Sequence, residues 1–163
     1  MPHGGRVVAE AELLLERERL RAEGKRVGFT NGCFDLLHVG HVRYLRDTRA
    51  LVDVLVVGVN TDSSVRELKG PERPVVSEEE RAEVLAALRS VDYVVLFPDR
   101  TAERLVGLLR PDVYVKGGDY TLDPDRLPEA AVVQSYGGEV RLMPVHPGRS
   151  TTALLERMKG SGL

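Results

Sequence analysis

The order of apolar segments predicts an α/β fold with a doubly wound parallel sheet, and two observations carry that expectation. Short aliphatic runs such as Val54-Leu55-Val56-Val57 and Val113-Tyr114-Val115 alternate with longer stretches whose apolar residues recur at helical spacing. Strands and helices that alternate in this way are joined by right-handed crossovers into a parallel sheet. The second observation is length: 163 residues suffice to bury a core in a single domain and leave no room for a second catalytic module. Five strands are expected, in a Rossmann-like arrangement.

Taken in order, Ala9 to Ala22 read as a charged helix with Leu13, Leu14, Leu15 and Leu20 available for docking, stopped at Gly24. Residues 1–24 are therefore read as an N-terminal helical extension, and 25–163 as the main domain. Arg26 to Phe29 form the first expected strand, followed by a helix from His41 to Ala50 that carries Val42, Leu45 and Arg49. Val54 to Val59 are continuously apolar, as a parallel strand covered on both faces should be. A helix begins near Asp62. Ser77-Glu78-Glu79-Glu80 spells a capping box that opens a helix expected to bury Val84, Leu85 and Leu88. Strands at Tyr93 to Phe97, Val113 to Val115 and Val140 to Met143 then alternate with helices at Thr101 to Leu109, Leu127 to Tyr136 and Thr152 to Lys159.

Composition narrows the function. A net charge of −2 gives no general attraction to nucleic acid. Cys33 is the only cysteine, which excludes an internal disulfide or a cysteine zinc cluster, and it reads as a small packed side chain in a reducing compartment. Met1 to Glu10 lack the apolar core of a signal peptide, and the longest aliphatic run is too short to span a bilayer, so a cytoplasmic location is expected.

In open α/β sheets the ligand lies beyond the carboxyl ends of the strands. Those ends hold Asn31 to His41, Asn60-Thr61-Asp62, Lys69-Gly70-Pro71-Glu72-Arg73-Pro74, Lys116-Gly117-Gly118-Asp119-Tyr120 and His146 to Thr152. Glycines, isolated cations and hydroxyls before a helix describe a site for several phosphates. His38 and His41 stand three apart at a helix start, where free N–H groups and the helix dipole attract an anion, and Gly40 between them leaves room for its approach. The G-x-G-x-x-G fingerprint and the P-loop are both absent, which argues against a dehydrogenase or a P-loop kinase.

His38-Val39-Gly40-His41 at the end of a first strand, with Ser150-Thr151-Thr152 before the last helix, resembles the two signatures of the nucleotidyltransferase superfamily. Leu68-Lys69-Gly70, Val115 to Tyr120 and Gly137-Gly138-Glu139-Val140 extend the resemblance to the adenylyltransferase module of bacterial ADP-heptose synthesis, from Gly24 onward. Many relatives fuse this module to a sugar kinase, and the free-standing form is the one expected here. The resemblance makes 25–163 a nucleotidyltransferase domain that transfers AMP from ATP to heptose 1-phosphate and releases pyrophosphate. Mg²⁺ is expected to accompany ATP, held by phosphate oxygens and water with no protein metal site.

The resemblance also implies roles. His38, His41 and Lys69 are the catalytic residues, the imidazoles on the α- and β-phosphates and Lys69 on a loop that closes over the reacting groups. Nucleotide binding falls to Asn31, Gly32, Phe34, Gly40, Lys116, Gly117, Gly118 and Asp119, with Ser150, Thr151 and Thr152 on the β- and γ-phosphates. Asp35, Arg73 and Arg81 are placed at the sugar-phosphate end, Asp35 chiefly as a loop-fixing hydrogen-bond acceptor. His146 stands where related cytidylyltransferases carry arginine, and its role is left open. A homodimer is expected, through a segment like Arg89-Ser90-Val91-Asp92-Tyr93. The alternatives are a cytidylyltransferase acting on glycerol 3-phosphate or a similar small alcohol phosphate, and a nucleotide-binding module without turnover. An aminoacyl-tRNA synthetase shares the H-x-G-H signature, but this chain has no lysine signature loop and no excess positive charge for RNA.

Overall fold

A computed structural model describes residues 4–118, 125–144 and 150–162. The expectations placed on Asp119, Tyr120 and His146 lie outside the described residues. Six strands form one parallel sheet in the order β1-β4-β3-β2-β5-β6: β1 (Arg6–Val7), β2 (Val27–Gly32), β3 (Val54–Asn60), β4 (Tyr93–Phe97), β5 (Val113–Gly117) and β6 (Glu139–Met143). This is one strand more than the five expected. The additional strand, β1, is two exposed residues long and pairs with the edge of β4. It has no apolar pattern of its own, and only its backbone pairing makes it a strand.

Seven helices complete the described structure: α1 (Glu10–Ala22), α2 (Val39–Arg49), α3 (Asp62–Lys69), α4 (Glu78–Ala86), α5 (Glu103–Leu109), α6 (Glu129–Ser135) and α7 (Thr151–Gly160). The strands divide their side chains between two apolar layers. Phe29, Val56, Val95 and Tyr114 face the layer closed by α1, α5 and α6, while Leu55, Val57, Val94 and Val115 face the layer that includes Leu45 of α2 and Leu85 of α4. That alternation of two along each strand, with helices over both faces, is the doubly wound architecture. Within it, Gly58 is required by packing, because a Cβ there would lie 2.7 Å from the ring of Phe29.

Two docking expectations are corrected. The buried face of α1 is Leu13, Arg17 and Leu20, and Leu15 points to solvent. Positions 13, 17 and 20 share one helical face, whereas 15 is turned about 200° from 13 at 100° per residue. The buried Arg17 caps the end of α5, donating to the carbonyls of Leu109 (3.1 Å) and Arg110 (2.9 Å). The segment read as an extension thus contributes Val8, Leu13 and Leu20 to the same core as the sheet. In α4, Arg81, Ala82, Leu85 and Ala86 turn inward, and Val84 is exposed. The Ser77 hydroxyl accepts from the Glu80 N–H at 3.4 Å, the serine half of the expected capping box. No helix among the described residues is long and apolar enough to cross a membrane.

Candidate active site

β2 is flanked by β3 on one side and β5 on the other, while the chain proceeds from β2 through β3 to β4 before returning to β5. The strand order therefore reverses between β2 and β5. Neighbouring crossovers depart in opposite directions there and leave a crevice at the carboxyl ends of the two strands. A cavity of about 600 Å³ occupies it.

One wall is the first turn of α2. The helix begins two residues earlier than expected, so His38 is its N-cap and His41 its third residue. His38 Nδ1 accepts from the Gly40 N–H at 3.0 Å, and His41 Nδ1 accepts from the His38 N–H at 3.3 Å. With both Nδ1 atoms accepting, these hydrogen bonds assign the neutral tautomer of each ring, with its proton on Nε2. The ring centroids lie 4.0 Å apart. Burial, and then the repulsion that a protonated His38 would exert, lower the His41 pKa to about 4, so its ring is a neutral N–H donor near pH 7. Phe34 packs its ring 5.6 Å from His41 and sits at a left-handed φ of 49°. A non-glycine residue in that region is strained, and here the strain lies against the imidazole pair.

The facing wall comes from β5. Lys116 Nζ donates to the Asn31 carbonyl at 2.7 Å, and the Tyr114 hydroxyl donates to Asn31 Oδ1 at 2.6 Å. Burial depresses the Lys116 pKa to about 8. Tyr44, one turn beyond His41, donates to the Val115 carbonyl at 3.0 Å and pairs with the Thr30 hydroxyl at 2.7 Å, tying α2 to both strands. Gly117 accommodates that tie: a Cβ there would lie 2.9 Å from the Tyr44 ring. Cys33 also lines the cavity, and burial raises its thiol pKa, as suits a packed side chain more than a nucleophile.

At the other end lie Lys69 and Arg73. Lys69 is the last residue of α3, followed by Gly70 at φ 105°, and so stands on a helix end where a loop was expected. Arg73 Nε donates to Asp35 Oδ2 at 2.7 Å, and the N–H groups of Val75 and Val76 donate to the same carboxylate at 2.9 Å. Burial alone would raise the Asp35 pKa, but these backbone donors and Arg73 outweigh it and hold the group below the usual carboxylate range. Asp35 thus fixes the 70–77 connection, a different segment from its own loop after β2, which it was expected to hold.

The third side is the start of α7. Ser150 Oγ accepts from the Ala153 N–H at 3.0 Å, and Thr151 Oγ1 donates to the Leu36 carbonyl at 2.9 Å. Ser150 is the cap, Thr151 anchors α7 to the loop after β2, and both line the cavity together with Thr152.

Among the described residues the cavity brings together every sequence-expected side chain except Arg81. Arg81 is buried, and its guanidinium donates to the carbonyls of Val76 (2.9 Å), Cys33 (2.6 Å) and Asn60 (2.9 Å) and to Asp62 (2.8 Å). It joins the ends of β2 and β3 to the helix that carries Lys69. The sequence reading missed Tyr44, Arg100, Thr101, Arg126 and Glu129, which also line the cavity. A helical spacing of three from His41 points to Tyr44; Glu129 is brought in by the fold and accepts from the Ala102 N–H at 2.8 Å.

The cytidylyltransferase-like family matches residues 29–157, a span that contains the imidazole pair, both walls and the start of α7. The chain belongs to the cytidylyltransferase-like family. It is a nucleotidyltransferase, similar to the bifunctional protein HldE of Syntrophotalea carbinolica, with 57% identity over 145 residues that cover 89% of this chain and 29% of that protein. HldE of Pseudomonas syringae pv. syringae is 51% identical over 156 residues, 96% of this chain and 32% of that one. The nucleotidyltransferase chain thus spans about a third of the length of these curated relatives. A solved structure, the lipopolysaccharide core biosynthesis protein from Thermoplasma volcanium, aligns with a TM-score of 0.62 at 28% identity, covering 76% of this chain and 98% of that one.

Proposed function

We propose that this nucleotidyltransferase transfers AMP from ATP to heptose 1-phosphate, giving an ADP-sugar and pyrophosphate. One observation carries the reading: two imidazole donors, two lysines, three arginines and a helix start with its hydroxyls line one cavity at the switch point of the sheet. Similarity to HldE and to a lipopolysaccharide core biosynthesis protein supports the sugar acceptor.

In this reading an acceptor phosphate oxygen attacks the α-phosphorus, and the bond to the bridging oxygen breaks as pyrophosphate departs. A phosphate monoester loses its second proton near ~6, so the nucleophile is already an anion and needs no general base. His38 and His41 present Nε2–H donors to the α- and β-phosphates and stabilise the charge that gathers on the bridging oxygen. A ring that stays neutral down to about pH 4 suits a fixed donor better than a proton shuttle. Lys69 and Arg73 draw the two phosphates together, and Lys116 neutralises charge on the opposite wall.

Among the described residues no cluster of three or more histidines, cysteines and carboxylates is placed to hold a metal. Asp35 and Glu129, the acidic residues in the cavity wall, are committed to backbone N–H groups. Mg²⁺ fits this donor set as part of the MgATP substrate, bound through phosphate oxygens.

The test is a pyrophosphate-release screen of the four nucleoside triphosphates against heptose 1-phosphate, other sugar 1-phosphates and glycerol 3-phosphate. ATP with heptose 1-phosphate should give the highest kcat/KM. The family match favours one second reading, cytidylyl transfer to a small alcohol phosphate, and turnover only with CTP and glycerol 3-phosphate would replace the first reading with it. The expected homodimer belongs to the same reading and is checked by light scattering.

A further inference from the structure

Beside the main cavity lies a second one, of about 440 Å³, between the connection that follows α3 and one side of α7. Lys69, Arg73 and Thr152 line both. The two spaces therefore meet at the cations that the main cavity directs toward phosphate.

Beyond that boundary the chemistry changes. The second cavity adds Glu72 and Glu156, with Val75 and Leu155 as apolar surface and Lys159 at the end of α7. Here Glu72 and Glu156 offset most of the charge of Lys69, Arg73 and Lys159, so a polyphosphate is attracted less than in the main cavity, where Arg100, Lys116 and Arg126 join Lys69 and Arg73. Carboxylates are strong acceptors for hydroxyl donors, and a small aliphatic surface suits the C–H face of a ring. The whole arrangement matches a molecule with a phosphate at one end, held at Lys69 and Arg73, and an uncharged polyhydroxyl body.

We propose that the second cavity seats the polyhydroxyl body of the acceptor, with Glu72 and Glu156 as hydroxyl-recognising residues that set acceptor specificity. The assignment rests on the sugar-phosphate reading above and deepens it. It puts acceptor choice on the 70–77 connection and α7, and leaves the nucleotide to the switch point. Glu72 and Glu156 are both exposed, so their replacement tests recognition without emptying the core.

The experiment compares the wild-type protein with a Glu72→Gln/Glu156→Gln variant, using ATP and two acceptors, heptose 1-phosphate and methyl phosphate. Methyl phosphate offers the same reacting group with no polyol. The variant should lower the ratio of kcat/KM for heptose 1-phosphate to that for methyl phosphate at least tenfold. If the two acceptors are affected alike, or neither is, the second cavity does not recognise the sugar, while a wild-type preference for heptose 1-phosphate keeps the parent reading in place. If the wild-type protein treats both acceptors equally or leaves heptose 1-phosphate unreacted, both are overturned.

Discussion

At the imidazole end of the main cavity, His38 and His41 are held by N–H groups two and three residues away in the same helical turn. At the opposite end, Arg73 and the backbone of the 70–77 connection are held by Asp35, from 38 to 41 residues away. The first arrangement forms wherever α2 forms. The second exists only once β2 and α3 are packed in register, and a single carboxylate carries it. Chemistry and stability should therefore separate at the imidazole end and fail together at the loop end.

The largest effect is expected from His41→Ala. Removing one preorganised donor to the bridging oxygen should lower kcat roughly 100- to 1,000-fold, while loss of its bond to the His38 N–H should cost only about 1 kcal/mol. Turnover close to wild type in a well-folded variant would remove His41 from the chemistry. Next comes Asp35→Ala, which leaves Arg73 and two backbone N–H groups without their acceptor. It should destabilise the protein by about 3 kcal/mol, seen as a lower melting temperature, and raise KM for the acceptor. A stable variant with normal KM would erase the contrast between the two ends.

Lys69→Ala sharpens the comparison, because Lys69 is exposed at the end of α3 and bears little packing. It should slow turnover about tenfold with the melting temperature nearly unchanged, and a large thermal loss would make it structural. Lys116→Met tests the wall between the ends. A depressed lysine pKa means that folding disfavours its charge, so the replacement should stabilise the protein at pH 7 by about 1–2 kcal/mol while weakening nucleotide binding. A lower melting temperature would show that the Lys116 bond to Asn31 outweighs its burial.

The smallest effect concerns pH. Folding lowers the His41 pKa from 6.5 to about 4, so as pH falls below 6.5 the unfolded chain takes up the proton first. The stability that the neutral ring provides is complete above 6.5, declines through the interval and is lost by about 4. Between pH 7 and 6 the wild-type protein should lose about 0.7 kcal/mol more than His41→Gln, measured by urea unfolding. Equal slopes would mean that the ring is not desolvated.

Arg81 shows where reading from sequence stopped. An arginine at the fourth position of a helix after a Gly/Pro-rich connection looks like a surface or phosphate residue, and nothing local states that three carbonyls and Asp62 converge on it. The same holds for β1, whose two residues become a strand only through β4, and for Glu129, whose carboxylate reaches the start of α5. The imidazole pair was readable because a helical turn fixes residues three apart on one face. Asp35 was readable in kind, as a loop-fixing acceptor, but not in its partners.

By itself the sequence determined the alternation of strands and helices, the cap at Ser77 and the face shared by His38 and His41, since each depends on bond geometry within a few residues. Tertiary structure alone decided the reversal of strand order between β2 and β5, the burial of Arg81 and the cavity shared by Lys69, Arg73 and Thr152. Those features need segments tens of residues apart to meet, and their position is set by packing of the whole sheet.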